Sequence, residues 1–169
     1  LINKLPKIEI LYLAGFFHDL GKGKDGDHSI IGAESSIKFA KRMGLSLSDG
    51  ELISWLVENH LLMSSISQKK DIYDSEIINH FVELVENTEK LDYLYLLTIN
   101  DIKATNPALW NGWKHKLLKD LFLLARSKIN KEPIKKSIEI SQDRKNSVLK
   151  DFDVKNAKII NKFWSVFDE

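Results

Sequence analysis

The sequence predicts an all-α fold. Nearly every segment carries apolar residues with a 3.6-residue period, which is the spacing of one helical face. Glycines and prolines fall between these segments, where breaks in the chain are expected. No segment alternates apolar and polar residues convincingly enough to indicate a β-strand. With 169 residues and no cysteine, the chain fits one domain whose core needs no disulfide and no thiolate zinc site.

Capping residues and chain breakers divide the chain into helices. Asp27 or His28 is predicted to begin the second helix, and Gly44 supplies its left-handed stop. Ser48 and Glu51 are predicted to form a capping box at the start of the third helix. The helices expected before the first predicted boundary cover about residues 8–19, 27–43, 49–61, 74–86, 88–104 and 106–129.

The second half of the chain is less uniform. Residues 63–73 are polar and weakly periodic, and they are predicted as a loop. Asp74 and Thr88 are predicted to cap the two helices that follow, and Asn106 begins the last helix before the boundary. Pro133 is predicted to separate a domain over residues 1–132 from an extension over residues 133–169. Two charged amphipathic helices are expected in this extension, at about residues 134–149 and 154–167.

Composition excludes several functional classes. The formal net charge is +1, so nothing in the composition favours nucleic acid or an anionic membrane as partner. No apolar stretch reaches the roughly 20 residues that a membrane-spanning helix needs. The opening residues, LINKLPKIEI, do not form a signal peptide, and the first residue is not Met. We therefore expect a cytoplasmic protein, and a fragment of a longer one.

Ligand-type side chains fall where three predicted helices should face the core. His18, His60 and Asp101 each continue an i, i+3, i+7 series of apolar residues, and Asp19 adjoins His18. A single buried histidine is usually an ordinary, hydrogen-bonded core residue. A buried aspartate needs a partner, because an unpaired buried carboxylate is very costly. A divalent cation bound by His18, Asp19, His60 and Asp101 would satisfy all four side chains together.

Two further residues are candidates for the same site. His28 lies in GDHS at a predicted helix start, where it could bind a second ion, contact a phosphate or cap the helix. Lys22 could pair with a phosphate or be an ordinary solvated lysine. Imidazole and carboxylate ligands suit Mn²⁺, Fe or Zn, and open carboxylate-rich sites accept Mg²⁺. Such an ion activates water and polarises a phosphoryl group.

The chain resembles the HD-domain metal-dependent phosphohydrolase superfamily in LAGFFHDLGKGKDGDHS, WLVENHLLMSS and LYLLTINDIKATNPALW. Taken together, these segments are similar to the HD region of the bifunctional uridylyltransferase/uridylyl-removing enzymes, which act on the nitrogen-regulatory PII protein. The resemblance implies a helical HD-domain bundle over residues 1–132, truncated at its N-terminal end. It also implies a divalent ion, with Mn²⁺ or Mg²⁺ expected first and Fe or Zn as alternatives.

The implied reaction is hydrolysis of the phosphodiester between UMP and a tyrosine of uridylylated PII. By position, His18, Asp19 and Asp101 match the catalytic metal-binding pattern, and Lys22 matches the lysine that follows the His18–Asp19 doublet. His60 and His28 match histidines that serve as additional ligands or phosphate contacts in related HD hydrolases, and His60 is expected to be a metal ligand. The parent protein would carry an upstream nucleotidyltransferase domain and downstream ACT domains.

The chain departs from the family pattern in one respect. HD proteins usually supply another metal-binding histidine upstream of the doublet, and no histidine precedes His18 here. This leaves two other hypotheses beside the hydrolase. One is a regulatory module that binds a nucleotide or partner without catalysis, and the other is an HD phosphohydrolase that acts on free nucleotides.

Overall fold

The computed structural model describes residues 1–105 and 110–131. Within these two ranges there is a short 3-10 turn at Ile2–Lys4, followed by α-helices and no β-strand, which confirms the predicted all-α class. The helices are α1 (Ile8–Phe17), α2 (His28–Arg42), α3 (Leu47–Glu58), α4 (Leu62–Lys69), α5 (Ser75–Val85), α6 (Thr88–Thr105) and α7 (Gly112–Ile129).

Helix α6 lies at the centre of the bundle, in contact with α1, α3, α4, α5 and α7. On one side of it, α1 packs against α2 and α3, and α2 lies along α3. On the other side, α7 packs against α4 and α5. The completely buried core side chains come from both sides and include Ala14, Leu56, Val57, Met63, Phe81, Val85, Leu91, Leu94, Leu121 and Ala125.

Helices α1 and α6 run parallel. Near the start of both helices, the buried Tyr93 hydroxyl accepts a hydrogen bond from the Lys7 amide at 3.1 Å and donates one to the Lys7 carbonyl at 2.8 Å. Farther along, Nε2 of His18 lies 3.4 Å from Oδ1 of Asp101. This pairing places the end of α1 beside the last turns of α6, where the predicted ligands lie.

The predicted capping box at Ser48 and Glu51 is wrong. Ser46 is the N-cap of α3, since its backbone is extended and its hydroxyl accepts a hydrogen bond from the Asp49 amide at 3.1 Å. Helix α3 therefore starts earlier than predicted, and it ends at Glu58 with Asn59 as C-cap. The first helix also ends sooner than predicted, at Phe17.

The loop predicted over residues 63–73 is also wrong, because residues Leu62–Lys69 form α4. Its sequence, LMSSISQK, is largely polar, and only Leu62, Met63 and Ile66 are apolar. Met63 and Ser67 are buried one turn apart, and α4 packs against α6 and α7. Tertiary contacts therefore stabilise a helix that was not predicted from the local sequence.

Two later helix starts differ from the prediction as well. The amide oxygen of Asn87 accepts a hydrogen bond from the Lys90 amide at 2.9 Å, so Asn87 performs the capping role predicted for Thr88. Helix α7 starts at Gly112, with Asn111 as its N-cap. The predicted start at Asn106 lies outside the described residues, as do the predicted boundary at Pro133 and the two predicted helices beyond it.

None of the helices within residues 1–105 and 110–131 is long and apolar enough to cross a membrane.

A buried hydrogen bond ties α7 to the segment that leads into α5. The Tyr73 hydroxyl donates to Oδ2 of Asp120 at 2.7 Å, and Asp120 is only 5% exposed. Tyr73→Phe removes this donor beside a buried carboxylate, so we expect the free energy of unfolding to fall by about 1–3 kcal/mol. Urea denaturation measures the change, and Tyr12→Phe, at a residue 69% exposed, is the matched control. Equal stability of Tyr73→Phe and the wild type would contradict this prediction.

Candidate metal centre

Two histidines follow the ends of two helices, His18 directly after α1 and His60 two residues after α3. Nδ1 of His18 lies 2.7 Å from the Gly15 carbonyl oxygen, and Nδ1 of His60 lies 2.7 Å from the Val57 carbonyl oxygen. A carbonyl oxygen only accepts hydrogen bonds, so each Nδ1 carries the hydrogen and donates it. In the neutral ring Nε2 then holds the lone pair, which is the arrangement that a metal-binding histidine requires.

The buried Nε2 atom of His18 lies between two carboxylates. It is 3.4 Å from Oδ2 of Asp19 and 3.4 Å from Oδ1 of Asp101. These are ion-pair distances, and within the described residues this atom forms no hydrogen bond. A buried nitrogen without a hydrogen-bond partner suggests that something else satisfies it. A cation shared with the two carboxylates would do so.

Asp19, His28 and His60 form the most compact group of ligand-type side chains in the described part of the chain. One ligand atom from each lies within 4.8 Å of the other two. Ligands about 2.1 Å from a common ion lie about 3–4 Å apart, so small side-chain movements would let these three bind one ion. The donor set therefore fits a divalent metal. This group includes His28, which the predicted ligand set of His18, Asp19, His60 and Asp101 does not.

The ring contacts join this group to His18. The His60 ring centroid lies 5.2 Å from that of His18 and 5.4 Å from that of His28. His60 is therefore central and only 2% exposed. The structure thus brings together all five predicted ligands or phosphate contacts in one cluster: His18, Asp19, His28, His60 and Asp101.

Two close backbone contacts position His28 beside the doublet. A Cβ atom at Gly32 would lie 2.6 Å from the carbonyl oxygen of Phe17, the last residue of α1. A Cβ atom at Gly21 would overlap the backbone of His28. Glycine at both positions lets α2 approach the end of α1. Asp27, rather than His28, caps α2, because its carboxylate accepts a hydrogen bond from the Ser29 amide at 2.8 Å.

Charge is distributed unevenly over the cluster. The Asp101 carboxylate raises the pKa of His18, and His18 in turn holds the pKa of Asp101 below its usual range. Burial lowers the pKa of His60, which favours the neutral imidazole that binds metals. The Lys22 ammonium donates to Oδ2 of Asp19 at 2.7 Å from the exposed side of the cluster. Lys22 is therefore close enough to contact an anion at the same place.

A groove between α1 and α6 opens beside the cluster and has a volume of about 330 Å³. The Thr105 hydroxyl lies in its lining, donates to Oδ1 of Asp101 at 3.0 Å and helps to orient that carboxylate. Thr105 was not among the residues predicted for the site, although its i, i+4 spacing from Asp101 was a usable signal. The groove is lined by Gly15, His18, Asp19, Leu97, Asn100, Asp101, Ala104 and Thr105.

Comparison with known proteins assigns the sequence to a family. The family profile described as the HD domain matches residues 2–105. The chain belongs to the HD-domain family. It is 47% identical over 148 residues to the bifunctional uridylyltransferase/uridylyl-removing enzyme of Pseudomonas fluorescens SBW25, covering 88% of this chain and 16% of that protein. No solved structure gives a significant match.

Enzymes of the same name from other bacteria are also similar to this chain. The Azotobacter vinelandii DJ protein is 46% identical over 148 residues, covering 86% of this chain and 16% of the relative. The Nitrosospira multiformis protein is 44% identical over 170 residues, covering 99% of this chain and 19% of the relative. The matches confirm the resemblance seen in the sequence, and the chain spans less than one fifth of the length of these relatives.

Proposed function

We propose that this HD domain hydrolyses a phosphodiester and releases UMP from a uridylylated tyrosine of the PII protein. The observation that supports it most is the cluster of three histidines and two aspartates at the open groove between α1 and α6. The names of the relatives include uridylyl removal, which is a reaction of this chemical class. The location that we propose is the cytoplasm, where PII would be available.

The reaction separates the phosphorus from the tyrosine oxygen. A water oxygen forms a bond to phosphorus, the bond to the phenolic oxygen breaks, and that oxygen receives a proton as UMP leaves. A divalent ion would supply an activated water and an electrophile at the phosphoryl group. Lys22, beside Asp19, would attract the negatively charged phosphate. The leaving group is a phenol with a pKa of about 10, so its departure makes a modest demand on a general acid.

The donor set favours Mn²⁺ among the metals expected from the sequence. Three imidazoles and two carboxylates combine the ligand types preferred by transition metals and by Mg²⁺, and Mn²⁺ accepts both. Mg²⁺, Fe²⁺ and Zn²⁺ are the alternatives for comparison. We also propose that uridylyl transfer belongs to a nucleotidyltransferase domain elsewhere in the parent protein, with ACT domains in its remaining part.

The decisive experiment measures UMP release from uridylylated PII by this chain, with and without Mn²⁺. Asp19→Asn provides the blank, because it removes a negative ligand while keeping the side-chain shape. Release that needs both Mn²⁺ and Asp19 would support the proposal. UMP binding without release would instead identify a binding module. Faster hydrolysis of free nucleotides than of uridylylated PII would identify a free-nucleotide phosphohydrolase.

A further inference from the structure

Gly15 has no packing role that would explain a glycine inside a helix. It lies in α1, where glycine costs about 1 kcal/mol relative to alanine. A Cβ atom there would meet only Cδ1 of Leu97, at 4.0 Å, which is an ordinary van der Waals contact. At Gly32, by contrast, the added carbon would overlap neighbouring backbone. What the missing side chain at Gly15 does provide is free space in the wall of the groove.

The groove combines polar and apolar side chains in its lining. His18, Asp19 and Asp101 line it where it meets the metal cluster, and Leu97 and Ala104 contribute apolar surface from α6. This composition suits a ligand that has a charged group joined to a flat, weakly polar ring. The volume of about 330 Å³ lies within the range of small-molecule sites.

Asn100 adds a group that can recognise such a ring. It precedes Asp101 in α6, is exposed, and lines the groove. Its amide offers an acceptor and two donor hydrogens, which match the adjacent donors and acceptors on the edge of a nucleobase. Gly15 lies one helical turn before Asp19, about 6 Å along the axis, a distance that a ribose can bridge between base and phosphate.

We propose that the groove between α1 and α6 is the nucleoside subsite, in which a pyrimidine ring lies against Gly15 and its edge is bound by Asn100. The phosphate of the same ligand would then lie at the cluster. This inference rests on the proposed function and extends it by naming the residues that select the nucleotide. It assigns the glycine and the amide to ligand recognition and leaves metal binding to the histidines and aspartates.

The test measures UMP binding by calorimetry in the presence of Mn²⁺, with inorganic phosphate as a second probe. Gly15→Leu fills the groove and Asn100→Ala removes the amide, and each is expected to weaken UMP binding at least tenfold. Their affinities for Mn²⁺ and for inorganic phosphate should stay within about twofold of wild type. Gly15→Ala is the folding control, because its methyl group has room, and its loss of UMP affinity should be smaller.

Wild-type UMP affinity in Gly15→Leu and Asn100→Ala would overturn the subsite. An equal loss of phosphate and UMP binding would also overturn it, because the residues would then act through the cluster. A different result would contradict the proposed function: wild-type Mn²⁺ affinity in Asp101→Asn, because the proposed reaction depends on a metal ion at the cluster. The comparison of UMP with inorganic phosphate in the groove variants would still decide the subsite in that case.

Discussion

Asp101→Asn should reduce metal-dependent UMP release at least about 100-fold, more than the 10–100-fold loss typical of residues that only support metal ligands. Asn keeps the shape of the side chain and removes its negative charge. The carboxylate lies 3.4 Å from Nε2 of His18 and accepts a hydrogen bond from Thr105 at 3.0 Å. Its loss therefore removes charge from the centre of the proposed site, while the helix should persist.

Mn²⁺ affinity, UMP release and circular dichroism should be measured on the same preparation of Asp101→Asn. Glu89→Gln is the matched control: it makes the same chemical change on the same helix, at an exposed residue in the first turn. It should retain wild-type release. A folded Asp101→Asn protein that releases UMP at the wild-type rate would exclude Asp101 from the metal site.

The sequence predicted much of the cluster because three of its members belong to a strong local pattern. His18, His60 and Asp101 interrupt apolar stripes, and a polar residue in such a stripe needs a partner. The local pattern could not show that His28 joins Asp19 and His60, since that depends on how closely α2 approaches α1. It also could not separate Gly15 from the packing glycines, because only the surrounding structure shows which ones have free space.

The same limit explains the errors in the fold. Helix α4 is stabilised by contacts with α6 and α7, and it has only eight residues, of which five are polar. Ser46 and Ser48 are both acceptable N-caps by residue type. The extended backbone and the hydrogen bond to Asp49 select Ser46. Residue types therefore predicted that a helix starts here, and three-dimensional contacts determined its first residue.

Gly32→Ala should lower the free energy of unfolding by about 1–3 kcal/mol, although alanine is the better helix former. The added carbon would lie 2.6 Å from the Phe17 carbonyl oxygen and 2.9 Å from Cγ1 of Val57. A carbonyl at the end of a packed helix cannot move alone, so α2 must shift away from α1. Gly15→Ala is the matched control, and it should leave stability unchanged or raise it by up to about 1 kcal/mol.

The shift of α2 should also alter the candidate metal centre, because His28 is the first residue of that helix. Gly32→Ala should therefore weaken Mn²⁺ binding even under conditions where the protein stays folded, whereas Gly15→Ala should not. Urea denaturation and calorimetry measure the two effects separately. Lower stability with wild-type Mn²⁺ affinity would mean that His28 is not a ligand. Unchanged stability would mean that the contact between α1 and α2 is looser than the structure shows.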